Sequence, residues 1–312
     1  MNTESSIAAE TLEQPGAPAP ISQTRPFFWS VRRELWENRS IFIAPLIAAF
    51  VVLLGFGITA FRLPQLRLNA LALEPVRQRT AIEVPYDIAA LMILFTAFIV
   101  GIFYCLDALH GERRDRSILF WKSLPVSDLT SVLSKVFVPL AILPVITFAI
   151  VIATQFIMLL LSTAVLLPSG LAGTTWSLLP LPRLWSILLY GLVTSVIWEA
   201  PIYAWLLLVS SWAKRATFLW AVLPWLAISA IEKLAFDTTF FARMIIGRLT
   251  GGFEQGFVVV KYAKDAHVPV VDRLVQFDPL KFLTSPGLWI GLIIAAVFLF
   301  GAVHFRRSRG PL

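Results

Sequence analysis

The sequence predicts an all-α, polytopic membrane protein. Three observations carry this. Of its 312 residues 58% are hydrophobic and only 14% charged, against about 25% charged in a water-soluble domain. Six apolar stretches are each long enough to cross a bilayer, and the basic clusters between them fall on one side of it. A mean hydropathy of +0.78 excludes an ordinary soluble enzyme, because so much apolar surface needs lipid to cover it.

Taken in chain order, residues 1–24 are polar, carry Pro15, Pro18 and Pro20, and lack an apolar run before a small-residue cleavage site. They read as a disordered cytoplasmic tail rather than a signal peptide. In residues 26–39, Phe28, Val31 and Leu35 recur at i, i+3 and i+7, with Trp29 and Trp36 beside them and Arg32, Arg33 and Glu37 elsewhere around the helix. This pattern predicts an amphipathic helix lying in the inner interface.

A hydrocarbon core of about 30 Å needs about 20 apolar residues in a helix. The stretches 41–61, 88–106, 136–165, 184–211, 217–235 and 288–304 meet that length. Each must be helical, since backbone groups in lipid can bond only within their own segment. The transmembrane domain thus occupies 25–312. Arg32, Arg33 and Arg39 precede the first span, and Arg113, Arg114, Arg116 and Lys122 follow the second. Lys214 and Arg215 join the fourth to the fifth, and Arg306, Arg307 and Arg309 end the chain. Clusters of this kind resist translocation, so both termini are expected in the cytoplasm. Arg62, Arg67, Arg77 and Arg79 in the first external loop run against that rule. The external segment 237–286 is too long for a plain loop. Asp237 is expected to cap a short helix carrying Phe240, Phe241, Met244, Ile245 and Leu249, which rests on the outer leaflet or dips into it.

The loop after the second span, residues 111–128, carries the densest chemistry. Glu112, Arg113, Arg114, Asp115, Arg116 and Lys122 are six ionisable side chains within eleven residues, and Phe120, Trp121 and Leu124 follow among them. Two readings fit. One is positive-inside topology with a tryptophan at headgroup level; the other is a short helix whose aromatic and arginine anchors dock a protein partner. Pro125 ends that helix, and Ser127 or Asp128 caps the next.

The stretch from Asp107 to Lys135, with Glu-Arg-Arg-Asp-Arg-Ser-Ile-Leu-Phe-Trp-Lys-Ser-Leu-Pro-Val-Ser at its centre, resembles the first cytoplasmic loop of permease subunits of type 2 ABC exporters. The six-span layout, the amphipathic helix before the first span and the external segment before the last resemble that family too. A weaker likeness runs from Phe277-Asp278-Pro279 to Ser285-Pro286-Gly287-Leu288-Trp289. The resemblance implies a coupling helix within 112–124, seated on an ABC ATP-binding subunit, with Glu112, Arg113, Arg114, Asp115, Arg116, Phe120, Trp121, Lys122 and Leu124 as the coupling residues. It also implies a second permease copy and a bacterial inner-membrane location. ATP and magnesium would belong to the partner subunit, leaving this chain non-catalytic. In keeping with that, the sequence contains no Gly-Lys pair, so it has no glycine-rich phosphate loop.

Glu199 is the acid deepest in a span, two residues before Pro201. A charge there costs about 2.5–3.5 kcal/mol on insertion scales, so it reads either as a hydrogen-bonded, neutral carboxyl or as a group on a transport pathway or dimer interface. His110, His267 and His304 are assigned to different depths and predict no metal site. No His-Glu-x-x-His or Gly-x-Ser-x-Gly motif is present. Gly247 and Gly251 have helix-dimer spacing, but Arg248 lies between them. The basic clusters lack the aromatic platform of a nucleic-acid groove, which excludes nucleic acid as a partner. The reading expected from all this is export of an amphipathic or hydrophobic substrate driven by a separate ATPase. Its competitor is an ATP-independent channel, carrier or scaffold recruiting a cytoplasmic partner.

Overall fold

The computed structural model describes residues 24–123, 126–259 and 275–308. The N-terminal tail, Leu124, Pro125, His267 and Arg309 lie outside them. Helix α1 (Thr24–Glu37) precedes α2 (Ser40–Ala60), α3 (Leu63–Leu71), α4 (Pro75–Ala108), α5 (His110–Arg114), α6 (Ser117–Ser123) and α7 (Asp128–Phe137). A π-helical turn at Val138–Ile142 leads into α8 (Leu143–Leu166). Then come α9 (Ala172–Leu178), α10 (Leu181–Trp212), α11 (Thr217–Phe236), α12 (Phe240–Gly256), the antiparallel strands β1 (Phe257–Val259) and β2 (Val275–Phe277), α13 (Pro279–Thr284) and α14 (Pro286–Ser308).

Six of these segments are long and apolar enough to cross a membrane: α2, α4, the joined α7 to α8, α10, α11 and α14. The chain is an all-α integral membrane protein, and each predicted span matches one of them, the first running one residue past α2 to Phe61. Its exterior shows why composition was decisive. Ile43, Phe50, Phe95, Leu226, Leu234 and Phe300 are all exposed, a surface that only a bilayer or another protein accommodates.

Prolines shape the helices. Pro139 has no N–H to continue the third span's ladder, and the backbone N–H of Leu143 instead reaches the Val138 carbonyl, the five-residue step that makes the π turn. Pro201 removes a rung from α10 just after Glu199. The main core packs α4, the π turn and α10 around Tyr104, Cys105, Val138, Tyr203 and Leu207, with Ile41 at its edge. A second cluster, at the opposite end, joins α2, α3, α4 and α8 through Phe56, Tyr86, Met158 and Leu159.

Between α11 and α14 the capping expectation is corrected. Asp237 sits in the left-handed region (φ 50°) and terminates α11 instead of starting α12. Glu232, one turn earlier, accepts the N–H groups of Phe240 and Phe241 at 2.7 and 2.8 Å and is the cap. α12 does not simply rest on a surface. It returns along α10, where a Cβ on Gly252 would lie 2.6 Å from the Ser195 Cα and one on Gly256 2.9 Å from Thr194. Glycine is required at both positions, so the small-residue stripe serves a contact within the chain.

Candidate functional site

α1, the α5 to α7 segment and the C-terminal end of α14 meet at one end of the bundle. They are joined by charges rather than by apolar packing alone. Glu34 of α1, only 1% exposed, accepts from Lys135 of α7 at 2.7 Å, from Arg33 at 2.6 Å and from the Tyr104 hydroxyl at 2.9 Å. Glu112 of α5 accepts from Arg33 at 2.8 Å, lies 3.1 Å from Lys135, and is ion-paired with Arg306 of α14. The Arg306 Nε donates to Asp128 of α7 at 3.0 Å. Three carboxylates thus face three cations. Burial pulls the Arg33 guanidinium down, but the Glu34 and Glu112 carboxylates outweigh it, and its pKa stays above the ordinary value.

Desolvating six charges consumes most of what their attraction returns, so such a cluster adds little net stability. What it adds is registry. Each link has one geometry that satisfies its partners, and the links fix α1, α5, α7 and α14 relative to one another.

The segment read as a coupling loop is divided by this network. Glu112 and Arg113 turn inward. The Arg113 Nη1 donates to the Ser211 carbonyl at 2.8 Å, and Ser210 Oγ accepts the backbone N–H groups of Leu109 and His110 at 3.0 and 2.9 Å, tying α5 to the end of α10. These two residues are buried and held by contacts within the chain. Trp121 is half-buried, with its ring 3.8 Å from the Arg33 guanidinium carbon, and Ile118 is buried. Arg114, Asp115, Arg116, Leu119, Phe120 and Lys122 remain exposed, Phe120 at 60%. Arg116 adopts φ 57° and makes the sharp turn between α5 and α6. Leu124 lies outside the described residues. Ser127 caps α7, its Oγ accepting from the Thr130 N–H at 3.1 Å, while Asp128 serves the network. The outcome is a short surface bearing both charge signs and two large apolar side chains, rooted in a cluster that reaches three spans.

Sequence reasoning missed Glu34, Lys135 and Arg306. A signal was present, for Glu34 stands between Val31 and Leu35 on the inward stripe of α1, where an apolar side chain was due.

The second candidate, Glu199, lines a cavity of about 490 Å³ between α4, the π turn, α8, α10 and α12. The Tyr203 hydroxyl donates to its Oε2 at 3.3 Å. Thr147 and Thr250 also line the cavity and spend their hydrogens on the Leu143 and Ile246 carbonyls, at 2.7 and 3.0 Å. Among the described residues no basic side chain lines it, and with the Thr147, Thr250 and Tyr203 hydrogens already placed, the oxygens of these groups and of Glu199 are left as acceptors. Leu91 and Phe95 at its edge are exposed on the side of the bundle.

Among the described residues no group of three His, Cys, Asp or Glu is placed to hold a metal ion. No family model, curated protein or solved structure matches the chain.

Proposed function

We propose that this chain is the membrane-spanning permease subunit of an ATP-driven exporter, of the type 2 ABC class that its coupling loop and layout resemble. The observation that carries the reading is the α5 to α6 surface: exposed, aromatic and arginine-bearing, and rigidly rooted through Glu112 in the elbow helix α1, the third span and the last. A push on that surface by a partner is passed to helices that cross the membrane. Only a partner whose contact differs between two states performs such work, and nucleotide-driven closure of two ATP-binding subunits is a difference of that kind.

In this reading the surface faces the cytoplasm of a bacterial cell, both termini lie on that side, and two permease copies pair above two ATPases that hold ATP and magnesium. The chain itself hydrolyses nothing. Cargo enters the cavity beside Glu199, whose apolar walls and acceptor-rich polar groups suit an amphipathic molecule carrying a hydrogen-bond donor or a positive charge.

The test is co-expression with the ATP-binding proteins encoded beside the gene. A stable complex with stimulated ATP hydrolysis is expected. Combined Arg114→Ala and Phe120→Ala substitution should abolish the stimulation while the chain still inserts. If no ATPase is retained in detergent, or the double variant couples normally, the proposal fails.

A further inference from the structure

At the opposite end of the bundle from the charge network, Arg67 of α3 is buried, with 6% of its surface exposed. Among the described residues it faces no carboxylate. Its Nη2 donates to the Thr175 hydroxyl at 3.0 Å, and its Nη1 is buried without any hydrogen-bond partner. A guanidinium taken out of water normally brings an anion with it, because desolvation without pairing is costly. Here the described residues supply none.

Arg67 forms part of the wall of a cavity of about 310 Å³ between α2, α3 and the start of α4. Phe56, Leu63, Leu66 and Pro85 give it an apolar interior, and Asn69, exposed and without a hydrogen bond among the described residues, stands at its edge. Among the described residues no acidic side chain lines it. The cleft therefore joins an unpaired cation and an amide donor to a slot for hydrocarbon, beside the end of a membrane-crossing helix. We propose that this cleft is a binding site for an anionic membrane lipid, whose phosphate is held by Arg67 and Asn69 and whose acyl chain lies along Phe56, Leu63 and Pro85. The arrangement of Arg67 on Thr175 prepares the guanidinium, so little side-chain freedom remains to be lost on binding.

The experiment uses the full chain, partially delipidated, with bound lipid counted by native mass spectrometry after incubation with dioleoylphosphatidylglycerol or dioleoylphosphatidylcholine. One phosphatidylglycerol per chain should be retained in preference to phosphatidylcholine. Arg67→Gln should weaken that retention about tenfold, the scale of one lost charge-assisted contact, and Arg62→Gln, at the exposed N-cap of the same helix, should not. Asn69→Asp puts a carboxylate at the edge of the cleft from an exposed position that folding does not depend on, and it should also abolish the preference. Equal retention of both lipids, or retention unchanged in Asn69→Asp, overturns the proposal. Displacement of the lipid by millimolar inorganic phosphate also overturns it, since that result makes the site one for a free anion.

Discussion

The two ends of the molecule treat buried cations in opposite ways. At the end that carries α1, α5 and α7, Arg33, Lys135 and Arg306 are each set against Glu34, Glu112 or Asp128. At the other end Arg67 is also buried, and among the described residues its hydrogen-bond partner is a threonine hydroxyl. The same physical penalty applies to both, so the contrast lies in what remains to be satisfied. The matched cluster is complete within the chain and works as a joint between helices. The arginine at the other end has no such partner among the described residues, and the lipid proposal rests on that difference.

The contrast breaks first if Glu112 is removed. Glu112→Ala would leave Arg33, Lys135 and Arg306 sharing what Glu34 and Asp128 still offer, and uncompensated buried charge costs about 3–5 kcal/mol. We expect a large fall in the midpoint of thermal unfolding in detergent, with much of the chain failing to accumulate. A fall of under about 1 kcal/mol would mean that the cluster is not a joint.

The opposite sign is expected at the other end. Arg67→Met removes a desolvated charge that nothing in the chain balances, and should raise the stability of the lipid-stripped protein by about 1–2 kcal/mol. In bilayers rich in phosphatidylglycerol that gain should shrink or reverse, because the wild-type arginine is paired there. Paired unfolding curves with and without the lipid measure both quantities. Trp121→Ala is a smaller perturbation, removing the ring that covers Arg33 while leaving every ion pair in place. It should cost about 1 kcal/mol, and a loss as large as that of Glu112→Ala would shift the joint from the carboxylate to the ring.

The spans were legible because a run of twenty apolar residues is a local signal that lipid enforces, and no tertiary contact is needed to read it. The joint was not, because its partners lie far apart: Arg33 and Glu112 are separated by 79 positions, Glu34 and Lys135 by 101, and Glu112 and Arg306 by 194. The resemblance put Glu112 and Arg113 among the coupling residues, and spacing alone does not say which side chains of a short helix turn inward. Their burial depends on α14 and on the end of α10 arriving beside them. Arg67 read only as an external arginine that troubled the orientation rule, because its burial depends on Thr175, 108 positions on. At α12 the glycine spacing was noticed at Gly247 and Gly251, whereas the tight contacts fall at Gly252 and Gly256. One residue along a helix turns the face by about 100°, and composition does not say which face another helix covers.

The smallest expected effect tests the idea of matching most directly. Replacing Glu34, Lys135 and Tyr104 together, as Glu34→Leu, Lys135→Met and Tyr104→Phe, removes one cation, one anion and the hydroxyl that donates to Glu34. Glu112 and Asp128 still face Arg33 and Arg306, so the cluster stays balanced and no polar atom of the deleted trio is orphaned. Buried ion pairs exchanged for apolar groups of similar volume are often neutral or better, so stability should change by less than about 1 kcal/mol, although Lys135→Met alone should cost about 3–5 kcal/mol. Thermal unfolding of the single and triple variants decides it. If the triple variant falls as far as the single one, the network holds the helices by its particular bonds. If it recovers, charge balance is the operative property, and the imbalance at Arg67 gains its meaning from the same rule.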